Sequence, residues 1–224
     1  MMTKFKNLFF ATLAMLALQG SLQAQGQDWK QDRKAALLFG LTQPLFVSGF
    51  NVEGNYIHNR FIVDYSHGAS LDISGGLLPG YLQEQGLVVH MPFSTGFGIG
   101  YRFTEWLNLR VEPKWHRFEF YYEGDAQNAA NRIAADGANY SLGLGLYGFF
   151  QPFKKKADAR RGITFAPSIR LWPTLSSAFD GGGFSYQNRN TGQTEQLQSL
   201  ASGIGFSPFI FNVSIGYTFD LRKP

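Results

Sequence analysis

Residues Leu107–His116 read LNLRVEPKWH: Arg110, Glu112, Lys114 and His116 take every second position, and Leu109, Val111, Pro113 and Trp115 fall between them. A period of two belongs to an extended strand whose two faces differ. Here one face is ionisable and the other apolar and aromatic. In a soluble sheet the ionisable face would meet water. In a closed sheet spanning a membrane it would point inward, and the apolar face would meet lipid. The sequence around this stretch decides between the two.

The same split recurs. Phe93, Thr95, Phe97, Ile99, Tyr101 and Phe103 oppose Ser94, Gly96, Gly98, Gly100 and Arg102. Tyr140, Leu142, Leu144 and Leu146 oppose Ser141, Gly143 and Gly145, and Phe211, Val213, Ile215, Tyr217 and Phe219 oppose Asn212, Ser214, Gly216, Thr218 and Asp220. Glycine gathers on the polar face, as a narrow interior favours, and aromatics gather toward strand ends, as a membrane girdle requires. Composition agrees: only 16% of the 224 residues are charged and 16% are aromatic. A soluble domain typically has about 25% charged residues. These features favour a membrane barrel over a soluble sandwich.

The amino-terminal stretch MMTKFKNLFFATLAMLALQGSLQA carries Lys4 and Lys6, then an apolar run from Leu8 to Leu18. That order is the order of a cleaved export signal, and the run is short for a membrane helix. Residues 1–24 are therefore expected to be a signal peptide, 25–34 a periplasmic segment and 35–224 the barrel. With no cysteine in the chain, a lipid anchor on an N-terminal Cys is not expected.

The expected fold is all-β: an eight-stranded, antiparallel, up-and-down transmembrane barrel. Its strands are placed near Ala35–Thr42, Gly49–Ile57, Phe61–Gly68, Val89–Phe103, Leu107–Tyr122, Asn139–Phe150, Ile163–Ser177 and Phe209–Leu221. Short turns at His58–Arg60 and Thr104–Trp106 alternate with long connections, the arrangement of bacterial barrels. The third long connection, containing DAQNAANRIAADGA, has the composition of a short helix, and the Gly-rich fourth reads as mobile. Gln151–Gly162, with Lys154, Lys155, Lys156, Arg160 and Arg161, is long for a periplasmic turn.

GFGIGYRFTEWLNLRVEPKW and the terminal FNVSIGYTFDLRKP resemble the small outer-membrane barrels of the OmpA and OmpX type, and more closely the outer-membrane β-barrel-domain proteins of Bacteroidota, including PorT-like members. The resemblance implies integral residence in the outer membrane of a Gram-negative bacterium. It implies contact with outer-membrane lipid and lipopolysaccharide, insertion by the barrel-assembly machinery, and possible protein partners in an envelope complex. Phe219 resembles the near-terminal aromatic that the assembly machinery reads, although Asp220–Pro224 follow it. Fold alone does not assign a task.

Placing the alternating residues inward collects Glu53, Asp64, Arg102, Arg110, Glu112, Lys114, His116 and Arg170, a nearly balanced set expected to pair across a plugged interior. Two sharper readings compete with a non-enzymatic, plugged barrel acting through its loops or wall. In VDYSHGASLD, Asp64, Ser66, His67 and Ser70 invite comparison with lipid A deacylases of the PagL type. Neighbours on a regular strand face opposite ways, so that reading requires a bulge near Ser66. The other is a narrow gated channel past Arg110 and Glu112. No catalytic, cofactor or metal site is expected. His58, His67, His90 and His116 lack tight ligand spacing, although His67 and His90 bracket one loop near Asp72 and Glu84. The alternate Gly96, Gly98 and Gly100 are not a phosphate loop. A single short basic run such as that at Lys154 is more often a solvated turn than a nucleic-acid patch, and no nucleic-acid partner is expected.

Overall fold

A computed structural model describes residues 29–179, 183–200 and 209–221. The export signal at 1–24 and the first part of the segment at 25–34 lie outside the described residues. The long strands are β1 (Arg33–Gly40), β2 (Phe50–His58), β3 (Phe61–Ile73), β4 (Leu87–Arg102), β5 (Leu107–Tyr122), β6 (Ala134–Gly148), β7 (Ile163–Leu171) and β11 (Phe209–Asp220). They form one antiparallel sheet in the order β5-β4-β3-β2-β1-β11-β7-β6, and β6 pairs back with β5, so the eight make a closed ring. Three short strands, β8 (Thr174–Ser176), β9 (Phe184–Gln187) and β10 (Thr194–Leu197), belong to the last long connection. Among the described residues no helix is long and apolar enough to cross a membrane, which bears only on helices.

Arg33 at the start of β1 and Asp220 at the end of β11 lie at the same end of the ring, here the near end, with Lys34 paired in register to Asp220. The tight turns after β2 and β4 and the connection from β6 to β7 are also there. The other four connections, from β1 to β2, β3 to β4, β5 to β6 and β7 to β11, are at the far end. The ring is uneven: β3 to β6 run for 13, 16, 16 and 15 residues, against 8, 9 and 9 for β1, β2 and β7. The taller half projects beyond the shorter one at the far end.

The alternation of the sequence sets the radial direction of each side chain. Val63, Ile99, Val111, Leu144, Leu171 and Phe209 lie side by side across six strands, and all point outward. On the other face Ser66, Gly96, Lys114 and Ser141 form an inward row. Glycine is needed inward where large groups cross the interior. A Cβ on Gly98 would lie 2.2 Å from Asp64 Oδ2, and one on Gly143 would lie 2.1 Å from Trp172 Nε1.

Strict alternation does not run the whole length, and this is where the sequence reading needs correction. The inward residues of β4 are even-numbered from Arg102 up to Ser94 and odd-numbered at Met91, Val89 and Leu87. An extra residue on β4 between His90 and Ser94 shifts its register with β5. β6 shifts in the same way opposite His116 and Phe118. β3 changes phase at Ser70, whose φ of 53° bends the strand. Each is a single-residue irregularity that reverses which face every later side chain occupies.

Two further expectations are corrected. The Ala-rich third connection is not helical. Asn128 Oδ1 accepts from the backbone of Ala130 and Asn131, closing a turn, and from Ala134 the chain is strand. β7 stops at Leu171 rather than Ser177 because Trp172 turns inward and Pro173 has no N–H for the ladder; β8 then pairs with β6. The fourth connection is built around a β9–β10 hairpin, and its residues 180–182 and 201–208 lie outside the described residues.

Candidate functional site

Below the phase shifts the interior is polar. Arg110 is fully buried at its centre. Its Nη1 donates to Glu53 at 2.8 Å, Asn55 at 2.8 Å and Asp64 at 3.0 Å, and its Nε donates to Asn108 at 2.7 Å. The guanidinium lies 4.0 Å from the Tyr147 ring centroid, and that of Arg170 lies 4.8 Å from the same ring. Arg170 also reaches Glu53 at 4.0 Å and Ser168 at 3.0 Å. Lys114 donates to Ser66 and sits over Trp172, whose Nε1 donates to Glu112. Three carboxylates, Glu53, Asp64 and Glu112, thus stand among three cations, Arg110, Lys114 and Arg170. Asp64 Oδ1 and Arg110 Nη2 are buried without a protein partner, so the group holds more polar capacity than its own side chains use.

Two of the residues grouped with this set by sequence stand apart. Arg102 is at the near end, bonded to Asp32 at 3.1 Å and to the carbonyls of Asn59 and Glu105, with Lys34 sharing Asp32. His116 exchanges a hydrogen bond with Ser141 at 2.7 Å and stacks on Phe118 and Trp172, touching no carboxylate. Sequence reasoning passed over Tyr147, Trp172, Asn55 and Asn108, and weighed Ser66 only as a nucleophile. Tyr147, Asn55, Asn108 and Ser66 lie on the inward parity of their strands and Trp172 continues that of β7, so applying the same count to uncharged residues finds them.

Along β3 the inward residues run Ile62, then Asp64 and Ser66, then Leu71 and Ile73. The first belongs to a small apolar cluster with Ile57, Ala36, Leu38, Ala166 and Phe149. The last two belong to a larger one with Leu87, Val89, Met91, Phe118 and Phe120 on the strands and Leu78, Leu82, Leu197 and Leu200 from the far connections. The charged group therefore lies between two apolar clusters. A continuous aqueous route past Arg110 and Glu112 would have to cross both.

The register of β3 and β4 is unbroken from Asp64↔Gly98 to Ala69↔Phe93, with Ser66 inward and buried and His67 on the other face. The bulge that would bring the hydroxyl to the imidazole is not there; a nucleophile and its base must be within hydrogen-bond reach. Ser66 is instead bonded to Lys114. Ser66→Ala and His67→Ala are each expected to leave cellular lipid A acylation unchanged by mass spectrometry; loss of a deacylated species in either would restore the enzyme reading. His90 Nδ1 meets Asp72 at 2.6 Å, but no group of three or more His, Asp or Glu able to hold a metal occurs among the described residues.

No protein-family model and no curated protein matches the sequence. Two solved structures are similar at low superposition. Ail, the attachment invasion locus protein of Yersinia pestis, has a TM-score of 0.42 and 13% identity over 84% of this chain and 100% of that one. A major outer membrane protein from Thermus thermophilus has a TM-score of 0.42 and 12% identity over 84% and 98%. At these values the likeness assigns neither family nor task.

The far connections form a folded cap above the larger apolar cluster. Asn188, wholly buried, donates to the Gln85 carbonyl at 3.1 Å, and Tyr186 Oη donates to Gln85 Oε1 at 3.1 Å. Arg189 bonds to Asp125 at 2.8 Å and lies 4.0 Å from the Tyr122 ring centroid. Three connections are thereby held to one another. Burial, with Tyr122 and Glu195 nearby, pushes the Tyr186 phenol up to about 12. Its folded-state value is above its unfolded one, so the stability it supplies is complete below about pH 10. That contribution is lost as pH rises toward 12. The phenolate absorbance of Tyr186, isolated by comparison with Tyr186→Phe, is expected to emerge in that window with loosening of the cap; a normal tyrosine titration would contradict the buried contact.

Proposed function

We propose that the chain is an integral β-barrel protein of the outer membrane of a Gram-negative bacterium, non-enzymatic and non-conducting, that holds a folded cap at the cell surface for structural or adhesive contact. The observation that carries this reading is an inversion of polarity at the phase shifts. Below them Leu37, Phe97, Ile99, Val111, Leu144 and Phe211 point outward with exposures from 40% at Val111 to 63% at Phe97, around a polar interior. Above them Asp72, His90 and Glu119 lie side by side on the outward face, and Ile73, Val89, Phe120 and Ala134 lie side by side inside. Arg117, Arg132 and Tyr121 bond to Glu119. The lower part is built for a solvent of hydrocarbon and the upper part for water. The largest contiguous apolar patch on a soluble monomer is typically about 300–600 Å².

Aromatic side chains border the belt. Phe93, Trp115 and Tyr140 stack edge to face and face to face just below the inversion, and Phe61, Tyr101 and Phe103 pack edge to face at the near end. From Phe93 to Phe103 the chain covers about 33 Å at ~3.3 Å per residue. At a tilt near 40° this is roughly 25 Å along the axis, the height of the apolar band of outer-membrane barrels. The near end is then periplasmic and the far end external.

The plugged interior supports a protein that does not conduct. In planar bilayers the purified protein is expected to give no stable conductance, and Glu112→Gln none either; a selective current abolished by that substitution would favour the channel. The protein is also expected to need detergent for solubility and to migrate faster on gels unheated than boiled. A heat-independent mobility in a detergent-free soluble protein would overturn the reading.

A further inference from the structure

The connection from β6 to β7 is the longest at the near end, and its cations are not absorbed by anything described so far. Phe150 bridges back to Phe165, an outward residue, and Trp106 from the β4–β5 turn stacks on Phe150 with centroids 5.4 Å apart and planes at 22°. Phe153, three residues on, is exposed. Stacked Trp106 and Phe150 form an aromatic ledge at the near rim, on the same outward side as the apolar belt, and the exposed Phe153 follows in the same connection. Lys154 pairs with Glu105, and Arg160 pairs with Asp158 at 2.6 Å, so the two carboxylates within this region are occupied. Lys155, Lys156 and Arg161 are exposed, and no carboxylate among the described residues pairs with them.

We infer that this ledge, Trp106, Phe150 and Phe153 with Lys155, Lys156 and Arg161, is a contact for the anionic headgroups of phospholipids in the leaflet at the near end. The inference rests on the transmembrane reading above. Trp106 has a ring with a polar N–H edge, the kind that settles at headgroup level, and Phe150 extends its apolar face. Lysines and arginines beside them extend their charges to the phosphates while their stems lie along apolar surface. Ammonium groups act as point charges and accept phosphate in any orientation, so a mobile lipid suits Lys155 and Lys156 better than a fixed partner. An acidic protein approaching from the aqueous side would have no use for rings turned toward the wall.

The test uses the full mature protein in vesicles of neutral phosphatidylcholine and anionic phosphatidylglycerol, with acyl-chain bromine on one lipid or the other. Quenching of Trp106 is read in a Trp115→Phe background and corrected with Trp106→Phe. The expected result is that phosphatidylglycerol exceeds random mixing around Trp106 by about threefold, a modest share of what several surface cations can supply. In the Lys155→Gln, Lys156→Gln, Arg161→Gln triple variant, and at high salt, the ratio is expected to return to random mixing. Quenching at the mixing ratio in the parent protein overturns the inference, and so does binding of soluble polyglutamate by the detergent-solubilised protein in place of a lipid preference. Trp115, read in a Trp106→Phe background and corrected with the Trp106→Phe, Trp115→Phe double variant, separates the two readings: if brominated phosphatidylcholine does not quench it, the wall is not in lipid and the transmembrane reading fails first.

Discussion

Arg110→Ala is expected to destabilise the protein by about 3–5 kcal/mol, the usual cost of removing one partner from a buried ion pair. The substitution leaves Glu53 and Asp64 facing each other at the centre of the interior with their shared cation gone. It also frees Asn55 and Asn108 from their bonds to the guanidinium and removes the cation over Tyr147. Arg110→Lys keeps the charge but cannot reach four acceptors from one planar group, so an intermediate loss is expected. Arg110→Met with Glu53→Gln and Asp64→Asn replaces the charges by neutral groups and is expected to recover a large part of the stability, because uncompensated burial is the damage and the ion pair is not itself the gain. The measurement is the urea midpoint for loss of the heat-modifiable form in detergent micelles. A midpoint for Arg110→Ala within error of the parent would show that the central group does not hold the interior.

The second large effect is expected on the opposite face. Ile99 is 61% exposed in the middle of the apolar belt. Ile99→Arg is expected to cost about 2–4 kcal/mol in a bilayer, the range for arginine on the lipid face at the midplane. His90, on the same strand but above the inversion, already sits beside Asp72 and Glu119. His90→Arg is expected to change stability by no more than about 1 kcal/mol, as near or beyond the interface. Folding yields into vesicles measure both. Equal costs at the two positions would contradict the inversion as the edge of the membrane.

The alternation in LNLRVEPKWH was enough to predict an all-β chain with a polar interior, because side-chain direction in a strand depends only on parity. The long strand β5 needed no correction: Leu107–Tyr122 is the expected range. What parity could not supply was the place where parity changes. An inserted residue in β4 or β6, or one positive φ at Ser70, leaves no mark in composition. The flanking residues do not mark it either: Asp72 lies between Leu71 and Ile73, but Asp64 lies between Val63 and Tyr65 and Arg110 between Leu109 and Val111, although the first points outward and the other two inward. The cap was hidden for a different reason. Its hairpin and its buried Asn188 depend on contacts with Gln85, about a hundred residues away, which no local pattern encodes.

The residues with the largest role in the interior were legible in part. Charge drew notice to Arg110, Glu112 and Lys114, while Tyr147 and Trp172, on whose rings Arg110 and Lys114 rest, carry no charge to draw it. Arg102 was grouped with them by parity alone; Asp32, which holds it, precedes the first strand and carried no signal.

The measurement that bears most directly on the account is a nitroxide scan of β4 in a bilayer, one label per residue from Val88 to Phe103, with accessibility to oxygen and to a water-soluble nickel chelate read at each site. Oxygen is expected to dominate at Phe93, Phe97, Ile99 and Tyr101, with protected sites between them. The nickel chelate is expected to dominate at Val88 and His90, in the opposite parity. A single parity along the whole strand, or nickel access at Phe97 and Ile99, would contradict it.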